Sequence, residues 1–263
     1  MSLFRYGEVY RIQIKNNFVR EAVYRTNFLT AITVDVIWMF IEFSLFTILY
    51  ANVNTIAGWT QDQVYFFLGI FFASDALFTI FFQRNFWNFS DLVNKGELDI
   101  LLTKPIHPLF LALSRSINLT AVFNFLLGIG IALRYSTPAG FVGGLHWLTA
   151  GAWLLVGLAT AVLLRFTFSV CVFWTDRSWA ISRLYYQFFT LATKPDSLYP
   201  KAIRYTILTA LPFAFIGSLP ARALLFGLSI EEYLLVALIL ISFYFINRTL
   251  WRMGLARYQS ASS

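Results

Sequence analysis

Hydrophobic positions along this chain gather into blocks of about 20 residues, separated by short stretches that hold most of the charges. At 1.5 Å of rise per residue, such a block matches a bilayer core of roughly 30 Å. The pattern predicts six membrane-spanning helices over residues 28–50, 64–82, 117–133, 147–174, 179–193 and 229–245, of which the fifth is the shortest and most polar. The fold class is therefore all-α and polytopic, one transmembrane domain over residues 1–263.

The stretches between blocks carry their own patterns. Over residues 1–27, Leu3, Tyr6, Tyr10 and Ile14 recur at spacings of three and four, with Glu8, Arg11 and Lys15 opposite. That alternation predicts an amphipathic helix lying in the membrane interface. Residues 83–115 hold Arg84, Asp91, Lys95, Glu97, Asp99 and Lys104 and are too charged to enter lipid. Residues 194–228 alternate apolar runs with Pro195, Pro200, Pro212 and Pro220. A proline in a helix interior costs about 3 kcal/mol, so short broken helices that dip into the outer leaflet and return are expected there. Irregular backbone at that depth needs protein or water to cover it. Turns are expected at Ser136–Gly144 and at Thr175–Ser178, and a disordered tail from Gln259.

Composition agrees with the pattern. Hydrophobic residues make up 59% of the chain and charged residues 13%, and the mean hydropathy is +0.67; soluble domains sit near 45–50% and roughly 25%. The net charge of +7 is not gathered into one basic patch with interleaved aromatics, which argues against nucleic acid. The basic residues lie instead at the ends of the apolar blocks. Arg5, Arg11, Lys15, Arg20, Arg25, Arg84, Lys95, Lys104, Arg115, Arg177, Arg183, Arg248, Arg252 and Arg257 fall on one side of the predicted topology. Arg134, Lys194, Lys201, Arg204 and Arg222 fall on the other. The excess places both termini in the cytoplasm. No short apolar region with a small-residue cleavage site precedes the first span, so a cleavable signal peptide is not expected. Cys171 has no internal cysteine to pair with, and His107 and His146 lack a second ligand at metal spacing. Neither a metal site nor a catalytic centre is expected.

The most informative stretch follows the second block: Asn94-Lys95-Gly96-Glu97-Leu98-Asp99-Ile100-Leu101-Leu102-Thr103-Lys104-Pro105, preceded by Phe86, Trp87 and Asp91. Trp87, Asp91 and Lys95 are helical neighbours four apart, and Gly96 can end their helix. A short charged helix lying across the membrane face is predicted. The Gly-Glu-Leu-Asp-x-Leu-Leu-x-Lys-Pro run resembles the cytoplasmic loop signature of permease subunits of type-two ABC exporters. Leu211 to Ala221, including Pro212, Phe213 and Pro220, is similar to the re-entrant outer segment that gates those permeases. With the order of spans, the resemblance covers nearly the whole chain. It implies a six-span exporter permease in the bacterial inner membrane, paired with an identical or homologous permease and with two ATPase subunits. In that scheme Phe86, Trp87, Asp91, Lys95, Gly96, Glu97, Asp99 and Lys104 couple to the ATPase. The chain has no Gly-x-x-x-x-Gly-Lys-[Ser/Thr] phosphate loop, so ATP and Mg are expected on the partner and no cofactor on this chain.

Asp35 and Glu42 fall inside the first predicted span, Asp75 inside the second and Arg165 inside the fourth. Each costs at least about 2.5 kcal/mol at mid-bilayer unless paired or hydrated. They fit a polar wall of a translocation path for cationic or amphipathic cargo, and equally a structural pairing such as Arg165 with Asp75. An ion- or proton-coupled secondary transporter using Asp35, Glu42 and Asp75 is the alternative class, although it predicts inverted repeats that the sequence does not display. Phenylalanine crowds the second span at Phe66, Phe67, Phe71, Phe72, Phe78, Phe81 and Phe82. Lipid-facing packing is expected of most of them, with a hydrophobic route as the second reading.

Overall fold

The computed structural model describes residues 3–23, 25–141, 146–175 and 178–258. The expected glycine turn at residues 143–144, the turn at residues 176–177 and the tail from residue 259 lie outside the described residues.

Helix α1 (Leu3–Val23) leads to α2 (Arg25–Tyr50), the first apolar block. The polar turn beyond it is a small hairpin, β1 (Thr55–Ile56) against β2 (Trp59–Thr60), with Ile56 opposite Trp59. Ala57 and Gly58 at its tip have φ of 50° and 85°, the positive pair that a two-residue turn between twisted strands requires. Trp59 is buried and ties this end of the molecule together. Its carbonyl accepts the Tyr50 hydroxyl at 2.7 Å, and its indole N–H donates to Ser197 at 2.9 Å.

Helix α3 (Gln61–Phe78) starts on a capping box between Thr60 and Gln63. It passes through a π-helical turn, Thr79–Gln83, into α4 (Arg84–Asn94). The second block, expected to end at Phe82, is thus part of a 34-residue helix, Gln61–Asn94, about 51 Å long. The separate short helix expected across the membrane face does not form at α4. Nothing in Gln83–Asn94 breaks a helix, so its charges carry it out of the lipid without ending it. The break comes at Gly96, whose φ of 74° only glycine adopts freely.

Two short helices follow, α5 (Leu98–Leu102) and α6 (Pro108–Ser114), and then α7 (Thr120–Ser136). Helix α8 (His146–Ser169) continues as a 3-10 turn to Phe173, and α9 (Ser178–Phe189) does the same to Thr193. The proline-rich stretch folds into α10 (Lys201–Leu208), a 3-10 turn at Phe213–Ile216 and α11 (Ser218–Phe226). Helix α12 (Ile230–Arg257) closes the chain and runs well past Phe245, carrying Arg248 and Arg252 with it.

Among the described residues, four helices are long and apolar enough to cross a membrane: Leu29–Tyr50, Gln61–Asn94, Trp147–Phe173 and Ile230–Arg257. The other two expected crossings are shorter, α7 with 17 residues and α9 with 12. The protein is a multi-pass, all-α membrane protein with α3 at its centre. Phe66, Phe67, Phe71, Phe72 and Phe78 are each at most 3% exposed, which corrects the expectation that they face lipid. Helices α3 and α7 cross almost backbone to backbone: a Cβ on Gly69 would stand 2.5 Å from the Ala132 nitrogen. Close approach through small residues is how membrane helices gain contact where lipid is as apolar as leucine. Helix α2, by contrast, has only 6% of its span buried.

The amphipathic stripe of α1 is rotated from its expected position. Tyr6 packs edge-on against Phe110 at 4.8 Å, and its hydroxyl accepts the His107 N–H at 3.3 Å. Gln13 accepts the Ser114 hydroxyl at 3.0 Å, and Asn17 donates to the Arg115 carbonyl at 3.0 Å. The stripe toward α6 and the residue after it is therefore Tyr6, Gln13 and Asn17, with Tyr10 packed against Ile80, Ile117 and Ala121, while Ile14 is exposed. Polar side chains take inward places because they satisfy the end of α6.

Candidate functional site

Asp35, Asp75 and Asn124 come from three different helices and meet at one half-open cavity of about 380 Å³ between α2, α3, α7 and α9. Asn124 on α7 donates to the Asp35 carboxylate on α2. Trp38, Phe72, Tyr186 and Phe189 supply aromatic walls, and Thr79, Gln83 and Thr190 add polar groups. Thr79 and Gln83 are the two ends of the π turn and are hydrogen-bonded to each other. The wider π turn is thus the part of the long helix that borders the cavity, as such turns often are at functional sites. Two carboxylates among aromatic faces suit a cation with apolar substituents, through charge and through cation–π attraction.

Glu42 does not line this cavity. Tyr199, in the segment after α9, has its phenol pushed up to about 12 by burial and then by the Glu42 carboxylate, so Glu42 faces that segment instead. Arg165 does not pair with Asp75 either. Its guanidinium, on a residue 1% exposed, lies 4.7 Å from the Tyr185 ring centre and 5.2 Å from that of Tyr186. It also donates to Ser182 at 3.2 Å. Two tyrosine faces and a hydroxyl replace the expected salt bridge, and Tyr186 lies between this charge and the cavity it lines. Among the described residues, no three His, Cys, Asp or Glu side chains gather to hold a metal ion.

The predicted coupling residues divide into two sets. Phe86 is 1% exposed and stacks on Phe78, so it belongs to the core. Trp87, 52% exposed, stacks on Tyr186 at 5.6 Å. Asp91 and Lys95 form an exposed pair at 3.1 Å, and Glu97 lies 3.9 Å from Arg115. Asp99 raises the Tyr258 phenol pKa after burial has done so first. Lys104 is exposed. Two residues that the charge pattern did not single out complete this surface: Ile100 and Leu102 project outward from α5, while Leu98 and Leu101 point inward. The alternation on a five-residue helix could have flagged them, had α5 been predicted. Buried Asn85 fixes the base of the loop, donating to the Leu113 and Ser116 carbonyls and accepting the Ser116 N–H at 2.8 Å.

Pro212, Phe213 and Pro220 are all buried. The Phe213–Ile216 turn inserts between α3 and α8, where a Cβ on Gly217 would meet Phe71 at 2.8 Å and one on Gly157 the Ile216 carbonyl at 3.1 Å. A feature that the sequence reading missed holds the segment in place. Asp196 is fully buried; it receives Arg204 at 2.7 Å and Arg222 at 3.3 Å, and is bonded to Ser218. Arg222 also reaches Glu232, which caps α12 through the Ser229 N–H. A buried carboxylate is stable when its lone pairs are used in this way.

A family model described as ABC-2 family transporter protein matches residues 36–262. Neither a curated protein nor a solved structure matches the chain.

Proposed function

This chain belongs to the ABC-2 transporter family, and from that premise we propose that it is the permease subunit of an ATP-driven exporter in a bacterial inner membrane. It acts with two copies of an ABC ATPase and with a second permease, identical or homologous. In this reading α7 and α9 join the four long helices to make six crossings, with both termini cytoplasmic. The observation that carries it is the surface beyond the long helix: Ile100 and Leu102, exposed outside the apolar spans and flanked in sequence by the exposed Asp91, Lys95, Glu97 and Lys104. Large apolar side chains exposed beside charges outside the lipid mark a docking surface, and the charges set register and partner choice.

The cargo is a hydrophobic or amphipathic solute, drug or lipid-linked molecule, and the cavity at Asp35 and Asp75 favours a cationic group on it. ATP hydrolysis belongs to the partner, and the π turn beside the cavity joins the helix that ends at the docking surface. Co-purification from detergent tests the assignment. The chain should bring down a nucleotide-binding subunit, and Ile100→Glu should release that subunit while the permease stays folded. Retention of the ATPase by Ile100→Glu, with unchanged cargo-stimulated hydrolysis, overturns the docking assignment.

A further inference from the structure

A second cavity, of about 350 Å³, lies between α10, α11 and the start of α12. One face of α10 supplies Lys201, Arg204, Tyr205 and Leu208, at positions three and four apart. The facing walls are Phe215, Leu219 and Arg222 together with Glu232, Leu235 and Val236 of α12. The lining thus combines three cations and one carboxylate with aliphatic and aromatic side chains. Of the three cations, Arg222 is occupied by Asp196 and Glu232. Arg204 uses its Nε on Asp196, which leaves its two terminal amino groups as donors. Lys201 is exposed at the first position of α10 and has no ion pair among the described residues. Three cations against Asp196 and Glu232 leave the pocket net positive.

Depth fixes the class of occupant. Leu235 and Val236 lie in the first two turns of α12, a 28-residue apolar helix, so the cavity straddles the boundary between headgroups and acyl chains. A ligand there comes from the bilayer, carries negative charge at the level of Lys201 and Arg204, and is aliphatic below it. We propose that this cavity binds an anionic phospholipid of the surrounding leaflet, with its phosphate on Lys201 and Arg204 and one acyl chain against Leu208, Leu219 and Leu235. The bound lipid bridges α10 to α12 beside the Asp196 cluster. This site is separate from the cavity at Asp35 and Asp75, and the proposal holds whatever that cavity transports.

Native mass spectrometry of the delipidated full-length protein tests it, by titration with phosphatidylglycerol, with phosphatidylethanolamine of the same chains, and with inorganic phosphate. Phosphatidylglycerol should bind more tightly than phosphatidylethanolamine, and inorganic phosphate at equal concentration should not displace it. One basic residue near an anionic lipid surface is worth about fivefold in affinity. Lys201→Gln, which breaks no ion pair, should weaken phosphatidylglycerol binding by that factor without lowering the melting temperature. Leu208→Glu should weaken it further. Equal binding of the two lipids, displacement by phosphate alone, or unchanged affinity in Lys201→Gln overturns the proposal.

Discussion

Gly69 and Gly128 face each other where α3 crosses α7, and a Cβ added at Gly128 would lie 3.0 Å from the Gly69 carbonyl oxygen and 2.6 Å from the Ala73 nitrogen. Backbone atoms cannot move aside as a flexible side chain can. Gly69→Ala should therefore cost about 3 kcal/mol, the upper part of the usual range for overpacking. Gly130→Ala, on α7 beside Gly128 but with nothing within 4 Å, should cost nothing. Thermal unfolding of the two variants in detergent separates them.

The Asp196 cluster makes a second stability prediction. Asp196→Ala leaves Arg222 partly buried with only Glu232 as counter-charge, and breaking a buried pair from one side costs about 3–5 kcal/mol. Arg204→Gln should cost under about 1 kcal/mol, because that side chain is 41% exposed and solvent screens it. The ratio of the two losses, read from melting curves, reports whether the carboxylate or Arg204 anchors the segment.

Glu97→Lys should separate docking from folding. The pair that Glu97 makes with Arg115 is long and half exposed, so its loss should change stability by less than about 0.5 kcal/mol. Reversing a charge at the rim should nonetheless lower cargo-stimulated ATP hydrolysis in the assembled transporter. Leu98→Glu, by contrast, places a charge on the buried side of α5 and should reduce the yield of folded protein.

At the intramembrane cavity, Asp75→Asn keeps the shape and removes a charge. Stimulation of ATP hydrolysis by a cationic amphiphile should require roughly tenfold more compound, the equivalent of about 1.4 kcal/mol. A neutral analogue of the same size should be unaffected. Asp35→Asn should act similarly, with a smaller effect because Asn124 already holds that carboxylate.

The sequence by itself determined that this is a helical membrane protein, because crossing lipid is a local property. A run of about 20 apolar residues and the charges at its ends are all that insertion reads. The glycine that ends the long helix and the prolines that break the segment after α9 were legible for the same reason, since each acts on its own backbone. Only the tertiary structure decided which charges meet. Asp35 and Asn124 are 89 positions apart, and no periodicity announces that they share a cavity. Nor did composition separate Phe86 in the core from Trp87 on the surface, because one step of 100° on a helix turns neighbours to opposite environments. The π turn beside the cavity and the Asp196 cluster were invisible for one physical reason: both depend on what the rest of the fold presses against them.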